Sequence, residues 1–163
     1  MNRRLVPAWL GVLAAAILWA GGEAADFEPA TVIPREVVVT VGKTQTVGID
    51  VEVKPGYHVQ ANPASFDNLI PLTLTLRPTS GVTAGSPIYP AKKTIRLEGG
   101  DMDLSVYDGK FCVMVPISAN AVSPDDGWRI EGTLRYQACD HEKCLAPRSA
   151  TVQLVVRSMA PRT

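Results

Sequence analysis

Cys139 and Cys144 close a strand-like run, Leu134-Arg-Tyr-Gln-Ala-Cys139, and are separated by four polar residues, Asp140, His141, Glu142 and Lys143. Two thiols this near in sequence can close one small ring, and three chemistries compete for it. A structural disulfide is the first. Chain entropy gives a ring of about six residues roughly 2 kcal/mol, against ~3 kcal/mol for one of about fifteen, so the spacing makes a weak staple. Thiol-disulfide exchange is the second: one thiolate attacks a partner's disulfide and its neighbour, held at high effective concentration, resolves the mixed disulfide. Lys143 favours a thiolate at Cys144 while Asp140 and Glu142 oppose it, so local charge does not settle the thiol acidity. Metal binding is the third, with Cys139, Cys144 and His141 as ligands and His58 brought in by the fold. That set suits Cu(I) or Zn(II), yet a closed tetrahedral zinc site needs a fourth protein ligand that the sequence does not plainly offer.

The remaining chemistry-bearing residues are few. Cys112 sits in Phe111-Cys-Val-Met-Val115, out of phase with Phe111, Val113 and Val115, and reads as a free thiol acting as a small apolar side chain. His141 alone reads as a solvated loop residue. Nucleotide-type glycine loops, HExxH and GxSxG are absent and there are two histidines, which removes most hydrolase and metalloprotease readings. No cofactor is expected.

The elements that must position these residues are strands. Val37, Val39 and Val41 alternate with Glu36, Val38 and Thr40, and Val47, Ile49, Val51 and Val53 alternate with Thr46, Gly48, Asp50 and Glu52. The same period returns at Leu72, Leu74 and Leu76, at Ile130, Leu134 and Tyr136, and at Val152, Leu154 and Val156. Tyr136 shares the inward phase of Leu134, which assigns it to the core ahead of the cysteine site. Turn clusters at Lys54-Pro-Gly56, Asn62-Pro63, Arg77-Pro-Thr-Ser-Gly81, Glu98-Gly-Gly-Asp101, Asp108-Gly109 and Ser123-Pro-Asp-Asp-Gly127 stop any helix from lengthening. This pattern predicts an all-β domain, an antiparallel β-sandwich of seven to nine short strands, over residues 25–157, with 158–163 as a loose tail.

Composition agrees with one globular domain: the 163 residues are 46% hydrophobic and 20% charged. Lys and Arg total 16, as do Asp and Glu, so no net field argues for nucleic acid or an anionic membrane surface. Arg3 and Arg4 precede an apolar run from Leu5 to Ala20, and Gly22-Glu23-Ala24 supplies small residues where a signal peptidase reads. Residues 1–24 are therefore expected to be a signal peptide, removed on export. The mature chain is expected to be soluble in the periplasm or another extracytoplasmic space that permits disulfides, with no membrane insertion.

Several segments in order, Gly56-Tyr-His-Val-Gln-Ala-Asn-Pro63, Leu69-Ile-Pro-Leu-Thr73, Tyr89-Pro90, Val106-Tyr-Asp-Gly109, Leu134-Arg-Tyr-Gln-Ala-Cys139 and Cys144-Leu-Ala-Pro147, resemble the N-terminal periplasmic domain of the thiol:disulfide interchange protein DsbD. The resemblance runs from about Val37 to Val156. It implies an immunoglobulin-like sandwich with a redox-active pair, Cys144 as the exchanging cysteine and Cys139 as the resolving one. Tyr57, His58, Tyr136 and His141 are candidates for the site's surroundings. It also implies an electron donor, either a thioredoxin-like protein or a membrane thiol transporter on a separate chain, and a periplasmic protein disulfide as acceptor. The best-known members of the family shield the disulfide with a cap loop bearing an aromatic residue. The counterpart by position, Arg96-Leu-Glu-Gly-Gly-Asp101, has none, which leaves Tyr57 or Tyr89 as alternative shields. The bland alternative is an extracytoplasmic binding module whose disulfide merely fixes a loop.

Overall fold

A computed structural model describes residues 27–77, 79–96 and 102–161. The expected signal peptide and residues 97–101 of the cap-loop counterpart lie outside them. The runs of alternating hydrophobicity form strands, twelve among the described residues: β1 (Ala30–Val32), β2 (Arg35–Thr40), β3 (Thr44–Val53), β4 (His58–Gln60), β5 (Thr73–Leu76), β6 (Val82–Ala84), β7 (Lys93–Arg96), β8 (Asp103–Tyr107), β9 (Lys110–Ala119), β10 (Trp128–Tyr136), β11 (Ala138–Cys139) and β12 (Arg148–Met159). This exceeds the seven to nine expected, because strands of two to four residues such as β1, β4, β6 and β11 hold too little alternation to be read from sequence.

The strands form three four-stranded sheets, β1-β3-β9-β6, β2-β12-β10-β5 and β11-β4-β8-β7. The first two enclose the core of an immunoglobulin-like sandwich. Ile49, Val51, Val113, Val115 and Ile117 from one sheet share a single buried cluster with Leu134, Tyr136, Val152, Leu154 and Val156 from the other. Cross-strand pairs such as Val47 with Val115 and Ile49 with Val113 set the register of the long β3–β9 ladder. Close packing leaves no room for a side chain at Gly132, where a Cβ would lie 2.4 Å from the Thr75 carbonyl oxygen of β5.

Two details depart from the expected sandwich. The pairing is antiparallel except between β2 and β12, which run parallel. Parallel neighbours are joined by a long crossover and leave no local turn signal. The strand β12 also continues through Met159, and Ser158 exchanges bonds with Ser123, its N–H donating to Ser123 Oγ at 3.1 Å. Ser158 and Met159 therefore belong to the sheet, not to the tail expected from Ser158 onward.

The third sheet positions the cysteines. Its strand β4 follows the turn at Lys54-Pro55-Gly56, where Gly56 takes φ +82° and the Tyr57 N–H donates to the Lys54 carbonyl at 3.1 Å. In the β4–β11 register Val59 lies opposite Ala138 and His58 opposite Cys139. Side chains alternate across a strand, so Val59 and Ala138 join the core while His58, Gln60 and Cys139 share the other face. No helix among the described residues is long and apolar enough to cross a membrane.

Candidate functional site

Cys139 and Cys144 form a disulfide with S–S 2.03 Å. The two residues face each other across a tight hairpin, with Asp140 N–H donating to Lys143 O at 2.9 Å and Leu145 N–H donating to Ala138 O at 2.8 Å on either side of them. They thus occupy the non-hydrogen-bonded position of an antiparallel pair, where the strands come closest, and their Cα atoms are 3.9 Å apart. Asp140 builds the turn: one carboxylate oxygen accepts the Glu142 and Lys143 N–H groups, each at 2.8 Å. Those two bonds are the main reason its carboxyl is held below the ordinary value.

The two cysteines differ in burial. Cys139 is fully buried, whereas Cys144 is an exposed residue. His141 sits at the exposed tip, its Nε2 3.7 Å from Glu142 Oε1, a surface pair of little energetic weight. Tyr57 is half-buried and packs on the Phe27 ring at 5.2 Å between centroids. Tyr89 is also half-buried, and its hydroxyl accepts the Leu74 N–H at 3.0 Å. Tyr136 is fully buried in the sandwich core; its hydroxyl donates to Glu28 Oε2 at 2.6 Å and is held far above the ordinary tyrosine value, first by burial and then by that carboxylate.

His58 lies beside Cys139 across the β4–β11 ladder and is 8% exposed. Burial lowers its pKa below the usual 6.5, and the carboxylates of Asp108 and Asp140 oppose that shift more weakly. An unfolded chain therefore takes up the imidazole proton at a higher pH than the folded one, so stability falls as pH drops through about 6.5 and levels off below the folded-state value. Denaturant midpoints at about pH 7.5 and about pH 5.5 should show this loss in the parent and a smaller one in His58→Gln. Identical losses would mean that another group controls the acid limb.

Two glutamines at the site escape sequence reasoning. Gln60 is fully buried, and its Nε2 lies 3.2 Å from Cys139 Sγ, placed to donate a hydrogen bond to it. Gln137 spans the hairpin base: its Oε1 accepts the Ile70 N–H at 3.0 Å, and its Nε2 donates to the Leu145 carbonyl at 3.3 Å, next to Cys144. The alternation of His58-Val59-Gln60 was the available signal, since it puts two polar side chains on one face. Nothing in the sequence says that this face covers a sulfur. Cys112 is half-buried on β9, where its thiol donates to Asp50 Oδ1 and Asp50 pairs with Arg35 at 2.9 Å. Among the described residues no three His, Cys, Asp or Glu side chains converge as metal ligands.

The family described as "Thiol:disulfide interchange protein DsbD, N-terminal" matches residues 26–156. Among solved structures the chain is similar to the N-terminal periplasmic domain of ScsB from Proteus mirabilis, at 12% identity and TM-score 0.42, covering 75% of this chain and 43% of that one. It is also similar to the CooA pilin subunit from enterotoxigenic Escherichia coli, at 14% identity and TM-score 0.22, covering 79% of this chain and 99% of that one. The chain thus spans less than half the length of the ScsB chain. No curated protein matches it in sequence. Since the family match takes in β1 to β11 whole and β12 as far as Val156, with the Cys139–Cys144 ring inside it, the chain belongs to the family of N-terminal domains of the thiol:disulfide interchange protein DsbD.

Proposed function

We propose that this chain relays reducing equivalents between proteins of the periplasm by thiol-disulfide exchange at Cys139 and Cys144. The observation that carries the reading is the unequal exposure of the two bonded cysteines, one fully buried and one exposed. A donor thiolate attacks Cys144 Sγ, a sulfur–sulfur bond forms between donor and Cys144, and the Cys139–Cys144 bond breaks with its electron pair on Cys139. The donor's second thiolate then attacks the donor sulfur of that mixed disulfide and releases Cys144, leaving the donor oxidised and this chain reduced. Passing the electrons on reverses the order: Cys144 attacks an acceptor disulfide and Cys139 resolves the complex.

The donor is a thioredoxin-like protein or a membrane thiol transporter, and the acceptor is an exported protein with a disulfide to be reduced. Family membership and the leader-like first residues support the compartment. A structural role is the weaker reading, because a ring this small adds only about 2 kcal/mol to a domain that already buries two facing sheets. Redox titration of the purified chain against glutathione or dithiothreitol, followed by alkylation of free thiols, tests the proposal. A potential above about −300 mV is expected, and one well below it would assign the ring to the structural class.

A further inference from the structure

Gln60 presents an unusual combination for a buried residue. It has no solvent exposure, its Nε2 approaches Cys139 Sγ at 3.2 Å, and its Oε1 is buried without a hydrogen-bond partner. Burying a carboxamide is unfavourable unless its groups are paired, and a neutral disulfide sulfur is only a weak acceptor. In the oxidised ring this amide is therefore poorly compensated. Rotating it by half a turn would not help, because a disulfide sulfur has no proton to give to Oε1 and the amide N–H would lose the acceptor it has.

The compensation arrives when the ring opens. Attack at Cys144 puts the electron pair of the broken bond on Cys139 Sγ, a full negative charge in a site closed to water. Charges nearby do not welcome it: Asp140 is the next residue, with a carboxyl held below its ordinary value, and burial disfavours the charged form of the neighbouring His58. A hydrogen bond from an amide N–H strengthens greatly when its acceptor becomes an anion. An interaction that is weak before reaction and strong as charge develops lowers the barrier, in the manner of an oxyanion hole. The third sheet supplies the geometry, since Gln60 and Cys139 lie on one face as diagonal neighbours across the β4–β11 pair.

We propose that Gln60 is a catalytic residue of the exchange, its side-chain N–H holding the thiolate that Cys139 becomes when the disulfide opens. This rests on the exchange reading above and deepens it. In the donor step, the donor–Cys144 bond forms, the Cys139–Cys144 bond breaks, and the Cys139 thiolate is held by Gln60 until the hairpin opens and it takes a proton, or until it attacks again. No further oxidant or reductant is required.

The test compares the full chain with Gln60→Leu, which keeps the bulk and removes the donor. In a Cys112→Ala, Cys144→Ser background, where Cys139 is the one cysteine left, thiolate absorbance during a pH titration reports its acidity. Gln60→Leu should raise the midpoint by about one pH unit or more, and in the two-cysteine chain dithiothreitol should open the ring roughly tenfold more slowly. A midpoint and an opening rate both within about threefold of the parent's would overturn the proposal. Should Gln60→Leu not fold, the unsubstituted side chain in the Cys112→Ala, Cys144→Ser protein decides: a side-chain amide proton of Gln60 moves downfield in NMR spectra in step with Cys139 ionisation, and a resonance indifferent to that titration refutes the assignment. The outcomes separate from those of the exchange reading. A potential well below about −300 mV removes exchange whatever Gln60 does, while a parent of exchange-competent potential whose Gln60→Leu variant opens equally fast keeps exchange and removes Gln60.

Discussion

Cys139→Ser should yield a protein that captures a disulfide-bearing partner as a stable mixed disulfide on Cys144, because the group that would resolve the complex is gone. Cys144→Ser should do the opposite. Of its two remaining thiols, Cys112 lies on another sheet and Cys139 is fully buried beside β4, so capture through the hairpin requires it to open first. An opening cost of ~3 kcal/mol reduces capture about a hundredfold or more. Non-reducing gels after incubation with an oxidised thioredoxin-like protein, with mass spectrometry of the trapped peptide, distinguish the two variants. Trapping through Cys139 in place of Cys144 would reverse the assigned roles. Equal trapping by both would mean that access to the sulfurs does not govern the reaction.

The second large effect concerns stability. Tyr136 is among the largest fully buried side chains, and its hydroxyl donates to Glu28 Oε2 at 2.6 Å and to Ala30 O at 3.3 Å. Glu28 in turn pairs with Arg148 at 3.2 Å, so one buried phenol ties the segment leading into β1 to the strands β10 and β12 that flank the cysteine hairpin. Tyr136→Ala should destabilise the chain by about 3–5 kcal/mol, the usual range for truncating a large aromatic in a core. Tyr136→Phe keeps the packing and loses the hydroxyl bonds, at about 1 kcal/mol. Denaturant unfolding measures both. The reduction potential of Tyr136→Phe should match that of the parent, and a clear shift would place Tyr136 in the redox chemistry as well as the core.

What the sequence made legible follows from physical range. Period-two alternation is a local property, so the long strands β3, β10 and β12 and the inward phase of Leu134 and Tyr136 could be read directly. The cysteine hairpin was legible for the same reason, since both partners lie within one turn. Three features were not. The parallel β2–β12 pair joins residues far apart in the chain, with no turn to announce it. The residues of β4 are buried throughout, which defeats an alternation reading: His58 after its Pro-Gly turn could face either way until β11 pairs beside it. Asp140 reads from sequence as a charge beside the cysteines, while the structure shows its carboxylate spent on closing the turn through two backbone N–H groups.

Cys112 gives the arrangement a consequence beyond its packing. Its thiol is held above its ordinary acidity range, chiefly by the hydrogen bond it donates to Asp50 and then by burial. Only the thiolate attacks disulfides, so a thiol kept protonated is a poor rival to Cys139 and Cys144. A chain with three cysteines has three ways to make one disulfide, and two of them would block the hairpin. In the folded chain Asp50, on a different sheet from the ring, thereby disfavours the thiolate of the odd sulfur, the form that would compete for disulfides.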